Sequence, residues 1–133
     1  MTTEEHQQIA TKLFEEKKYS EALKEFGKAI QAGETSDVWN DWGVAQLACG
    51  NPAEAENGFR RAMTKDSKNS TAATNLVALL SNLGRSLEAM PFVDVAASDL
   101  PAKERNDLAR LVATIKATQQ SQTNNLAASK TVK

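Results

Sequence analysis

The triplet Ala22, Phe26, Ala29 returns as Ala55, Phe59, Ala62 and a third time as Ala89, Val93, Ala96, at steps of 33 and then 34 residues. A unit this short cannot bury its own apolar face and has to stack on its neighbours. The chain is therefore predicted to be an array of small units rather than a body around one core. The pattern inside each unit is helical. Apolar residues recur three and four positions apart in Ile9 and Leu13, in Leu23, Phe26 and Ile30, and in Leu76, Leu79, Leu80 and Leu83. No stretch alternates as a strand would.

Starts and stops divide each unit into two helices. Thr2 followed by Glu5 reads as a capping box before the first helix, and Ser36 can cap the third. Asn51-Pro52 opens the fourth, with proline at the first helical position, where no hydrogen bond is lost. Ser70 or Asn69 can cap the fifth. Gly50 and Gly84 fall where a first helix ends and a left-handed residue is wanted. Gly27 and Gly58 fall inside second helices, where each is expected to cost about 1 kcal/mol against alanine. Pro91 requires its helix to start late, near Glu88, or else to kink.

Ahead of the second triplet stands Trp39-Asn40-Asp41-Trp42-Gly43. Ahead of the first stand His6, Ile9, Ala10 and Leu13, with Tyr19 three residues before Ala22. Ahead of the third stand Ala73, Leu76, Val77 and Leu80, and Pro101 follows it. This resembles the tetratricopeptide repeat, whose pattern reads W-x2-L-G-x2-Y, then A-x3-F, then a late proline. Gln46 stands where the pattern has Tyr, Trp42 where it has Leu, and Glu34 and Ser67 where it has the late proline. The resemblance covers residues 3–101. It implies an all-α fold, a right-handed α-solenoid of three helix-turn-helix repeats at about 3–35, 36–69 and 70–101. Beyond them, Leu108, Leu111, Val112 and Ile115 form one stripe, so 102–119 is expected to be a seventh, capping helix. The polar segment 120–133 is expected to be disordered.

Composition excludes several classes. The 133 residues carry a net charge of −1, and a nucleic-acid groove needs clustered Lys and Arg. No apolar run reaches the roughly 20 residues that span a bilayer, and the start, Met1 to Glu5, is too polar and acidic for a secretory signal. Cys49 is the only cysteine, read as a small buried filler, and a cytoplasmic location is expected. An enzyme is not expected. The one histidine, His6, lies at a packing position, and there is no zinc-spaced Cys/His cluster, phosphate loop or nucleophile elbow. No cofactor or metal is expected.

The resemblance implies a protein-binding array whose concave side is lined by the first helix of each pair. Its ligand-facing positions carry over to Gln7, Thr11 and Phe14, to Asn40, Asp41, Val44 and Leu47, and to Thr71, Thr74, Asn75, Ala78 and Asn82. One subgroup clamps chaperone C-terminal carboxylates with Lys, Asn and Arg. The matching residues here are Gln7, Thr11, Asp41, Thr71 and Asn75, which supply no cation, so chaperone-tail binding is not expected. Asn75, with Asn40 and Asn82, could pair with an extended peptide backbone, and Val44, Leu47 and Ala78 could form an apolar floor. The expected ligand is a neutral to modestly basic peptide, and Asn75→Ala is expected to weaken binding while leaving stability nearly unchanged. A chaperone holding an unfolded partner segment, as in bacterial secretion, is an alternative, and so is a homo-oligomer joined through repeat ends or tail. Trp42 is read as mostly buried, and as a binding anchor if its edge reaches the groove.

Overall fold

The computed structural model describes residues 1–131. These form seven helices: α1 (Thr3–Glu15), α2 (Tyr19–Ala32), α3 (Ser36–Ala48), α4 (Pro52–Lys65), α5 (Ser70–Asn82), α6 (Ser86–Ala96) and α7 (Ala102–Thr131), with no strand among the described residues. The chain divides into two compact units, Met1–Ala96 and Ala97–Lys133. No described helix is long and apolar enough to cross a membrane.

In the first unit each helix packs on the next, and in addition α1 touches α3 and α3 touches α5. The first helices therefore stand side by side as a continuous row. The repeated triplet lies inside the packing: Ala22, Ala29, Ala55, Ala62 and Phe59 have no exposed surface. Two apolar clusters result. One gathers Ala10, Ala22, Phe26, Ala29, Val38 and Ala45. The other is built around Phe59, Leu76 and Leu80 and reaches Ala89.

At the α3–α4 contact the two backbones approach closely. A Cβ added at Gly43 would meet the Phe59 ring at 2.7 Å, and one added at Gly58 would lie 3.0 Å from the Gly43 Cα and from the Trp39 carbonyl oxygen. Gly58 is therefore required by packing, contrary to its reading as a weak point of its helix. Gly27 differs, since nothing lies within 4 Å of its added Cβ.

All three helix pairs turn in the same way. Lys18, Asn51 and Arg85 donate their backbone N–H to the carbonyls of Leu13, Gln46 and Leu80, at 2.9, 2.9 and 2.7 Å. The residue before each is left-handed, with φ of 64° at Lys17, 82° at Gly50 and 74° at Gly84. The first turn makes do with a lysine, whose Cβ costs about 1–2 kcal/mol in that region. Lys17→Gly is expected to raise stability by about 1 kcal/mol, read as a higher urea midpoint at unchanged slope. A lower midpoint would mean that the lysine side chain contributes more than its backbone costs.

Caps hold the repeats in register. Thr2 Oγ1 accepts from Glu5 N and Asn69 Oδ1 from Ala72 N. The cap of α3 is Thr35, which accepts from Val38 N at 3.1 Å, and not Ser36. Ser36 is the first helical residue, and its hydroxyl donates to the Ala62 carbonyl at 2.7 Å, closing the repeat on its own second helix. Thr3 does the same to the Gly33 carbonyl in the first repeat. Asn51 precedes Pro52 without a side-chain cap bond; its amide donates to Gln46 Oε1 at 2.9 Å. Cys49 is half-buried at the end of α3 rather than buried.

Two helices differ from expectation. α6 starts at Ser86, not near Glu88, and contains Pro91. The Leu87 carbonyl thus lacks the N–H that a residue other than proline would supply four positions on. In the second unit, α7 does not stop at 119 but continues to Thr131, so 120–131, expected to be disordered, are helical. Nothing in Gln119–Lys130 is a glycine or proline, and a helix without a breaker continues through Gln, Ala, Leu and Lys at little cost per residue. Val132 and Lys133 lie outside the described residues.

Candidate functional site

The row of α1, α3 and α5 collects most of the residues assigned to ligand contact, but it uses several of them on itself. Gln7 Nε2 donates to Asp41 Oδ2 at 3.2 Å, joining α1 to α3. Asn75 Nδ2 donates to Asn40 Oδ1 at 2.8 Å, joining α5 to α3. The two bonds are equivalent, spanning 34 and 35 residues, one more than each repeat step. They form a polar ladder across the row, and its third position on the first helices is Thr74. That hydroxyl donates to the Ser70 carbonyl at 2.8 Å and to Ala96 at 3.4 Å.

Asn40 is 6% exposed and is not available to a ligand, contrary to its assignment. Its interior position needs a polar partner, which Asn75 provides. Asn75 is half-buried, with Oδ1 and a second N–H beyond that bond. Asn75→Ala would leave the Asn40 oxygen without its donor. Stability is expected to fall by about 1–3 kcal/mol, where the amide pattern alone suggested almost no change. A melting temperature equal to that of the parent protein would show that water replaces the lost amide.

Thr11, Phe14 and Val44 keep their place on the row. With Phe26 and Asp41 they line a cleft of about 190 Å3 between α1 and α3. Phe14 is held by an edge contact with Tyr19, ring centres 5.0 Å apart, and both Phe14 and Phe26 belong to the first apolar cluster. The cleft is thus walled by fixed rings and rimmed by one hydroxyl and one carboxylate. Leu47, at 40% exposure, and the exposed Ala78 continue the row as apolar surface, while Thr71 and Asn82 stand exposed at opposite ends of α5.

Electrostatics set Asp41 apart. Burial pushes its carboxyl above the usual carboxylate range. The Gln7 amide pulls the other way, Asp37 adds to the rise, and Asn40 lowers it. Two acids on the second helices, Glu25 and Glu56, do have cationic partners. Hydrogen bonds from Lys28 and then His6 hold Glu25 below the usual range, with His6 Nδ1 at 3.0 Å. Arg85 at 2.6 Å, with Arg60 at 2.9 Å, does the same for Glu56.

Trp39 and Trp42 are both half-buried and meet edge to face at 5.5 Å. Trp39 donates its indole N–H to Glu34 Oε1 at 3.2 Å and lies under the Arg61 guanidinium at 5.0 Å. Trp42 packs against the first cluster and Trp39 against the second. Neither lines the cleft, so the ligand-anchor role considered for Trp42 has no support in this geometry.

No family model and no curated protein sequence matches the chain. Solved structures do. The second TPR of Spaghetti (RPAP3) bound to the HSP90 peptide SRMEEVD is similar at 22% identity over 70% of this chain and 87% of its own, with a TM-score of 0.65. Yeast Tom70 is similar over 92% of this chain at 15% identity and a TM-score of 0.75, the match spanning 26% of Tom70. The type III secretion translocator chaperone SycD of Yersinia enterocolitica is similar at 17% identity over 84% of this chain and 88% of its own, with a TM-score of 0.67. At these identities the likeness is one of fold.

Proposed function

The chain has the tetratricopeptide-repeat fold, an α-solenoid, and on that premise we propose that it is a cytoplasmic, non-enzymatic adaptor or scaffold that binds a peptide segment of a partner protein. The three repeats, about 3–35, 36–69 and 70–101, present the row of α1, α3 and α5 as the binding face. The observation that carries this is the cleft on that row, with ring walls already fixed by the core and a polar rim. Thr11, Phe14, Asp41, Val44, Leu47 and Ala78 are the contact residues, with Thr71 and Asn82 at the margins. Asn40 and Gln7 hold the helices in register.

A neutral to modestly basic peptide suits this surface. Its lack of cations at Gln7, Thr11, Asp41, Thr71 and Asn75 argues against a carboxylate tail, but on side-chain grounds alone. A solved array of this fold holds a peptide ending in EEVD, so the fold gives that exclusion no support. A peptide of that sequence belongs in the test.

The test selects peptides from a display library on the full chain and maps the best of them by amide shifts. Shifts confined to α1, α3 and α5 are expected. Ala78→Arg, on an exposed site, is expected to weaken binding about tenfold or more through steric and charge conflict at unchanged melting temperature. Asn57→Arg, exposed on α4, is expected to leave it intact. Shifts confined to second helices would overturn the assignment. The likeness to SycD over 88% of that chain favours, as a second reading, a chaperone that holds an unfolded segment. Preference for long unfolded segments over short selected peptides would support it.

A further inference from the structure

We infer that the cleft between α1 and α3 is a lysine pocket: it takes one lysine side chain of the bound peptide, with the methylene stem against Phe14, Phe26 and Val44 and the ammonium on Asp41 Oδ1. This rests on the row being the peptide-binding face and names the residue type that the face selects.

Shape and charge agree on the occupant. The cleft is about 190 Å3, with room for one unbranched side chain, and its apolar lining is two phenyl rings and a valine. An acidic or short polar side chain would leave those walls uncovered. Asp41 stands at the rim, its Oδ2 accepting from Gln7 with the Asn40 amide beside it, and takes part in no ion pair among the described residues. α3 contains no Lys or Arg, and α5 contains no charged residue at all. Asp37 is the other acid of α3, and its described side-chain bond is to the neutral Asn69 amide at 3.3 Å. The carboxylate therefore sits half out of water without a counter-ion, as its raised pKa reflects. An incoming ammonium supplies that charge at the end of an apolar stem. Arginine fits less well, because its planar fork binds best to two oxygens and Gln7 occupies one.

The experiment uses the full chain, labelled with nitrogen-15, and three capped heptapeptides, otherwise uncharged, with a central lysine, norleucine or arginine. The lysine peptide is expected to shift the amides of Thr11, Phe14, Asp41 and Val44 saturably. Norleucine, which keeps the stem and loses the charge, is expected to bind about tenfold more weakly. Asp41→Asn should abolish that difference, and so should Thr11→Lys, which places a competing ammonium at the rim of an exposed site. High salt should weaken the lysine peptide and leave the norleucine peptide unchanged. Equal binding of lysine and norleucine peptides, with shifts along α3 and α5, would overturn the lysine pocket and leave the peptide face standing. No shift on α1, α3 or α5 with any peptide, including those from the display library, would overturn both.

Discussion

Phe59→Ala is expected to lower the stability of the array by about 3–5 kcal/mol. Phe59 is one of the largest side chains with no exposed surface, and it joins Ala55, Ala62, Leu76 and Leu80 in one cluster. Its ring also fills the space over Gly43, where even an added methyl group would come within 2.7 Å. Removing it opens a cavity that the helices cannot close, because the α3 and α4 backbones already touch at Gly43 and Gly58. In an array, stability is a sum of unit and neighbour terms, and Phe59 sits in the middle repeat, in the cluster that continues into the third. Urea unfolding followed by helical circular dichroism reads the loss. The slope is also expected to drop, as the repeats cease to unfold together. A loss under about 1 kcal/mol at unchanged slope would contradict this account of the core.

The second large effect is a contrast between two glycines. Gly27→Ala is expected to stabilise the protein by about 1 kcal/mol, the ordinary helix preference of alanine, since the new Cβ meets nothing within 4 Å. Gly58→Ala gains the same preference and is nonetheless expected to destabilise by about 1–3 kcal/mol. Its Cβ would press on Trp42 Cε3 at 2.9 Å and on two backbone atoms at 3.0 Å. A side chain can swing aside, but the Gly43 Cα and the Trp39 carbonyl move only if the helix pair separates. Paired melts of the two variants measure this directly. Equal and favourable shifts would mean that α3 and α4 are less closely packed than the distances show.

These two glycines mark the limit of what the chain discloses by itself. Both interrupt second helices, and periodicity assigns them the same cost. Only the crossing point separates them, and that depends on which faces of α3 and α4 meet. The fold was legible because the triplet recurs at a near-constant step, and its residues are buried, down to Val93 standing in for Phe, with Ala96 alone half-buried. The turns were legible at Gly50 and Gly84 but not at Lys17, since lysine does not advertise a left-handed backbone. Its place one repeat before Gly50 was the available clue. At the site, the assigned positions lie on α1, α3 and α5, but Asn40 among them is buried. Their pairing was missed: Gln7 with Asp41 and Asn40 with Asn75 are offset by one repeat plus one residue, a relation visible only when polar residues are compared between repeats. Phe26 was assigned purely to packing, and nothing in a single helix shows that its ring also floors a cleft. The length of α7 was missed because low hydrophobicity was read as disorder where the lack of any helix breaker was the better guide.

The two tryptophans give the molecule an optical gauge. One indole belongs to the apolar cluster of the first repeat and the other to that of the later repeats, and the rings meet at 5.5 Å and 81°. The chain has no other tryptophan. Both stand on α3, three positions apart, so the fluorescence originates on the one helix that the two clusters share, and each indole reports the burial of a different side of it. A parting of either cluster from α3 that leaves every helix intact would expose one indole and move the emission to longer wavelength, without any label being added.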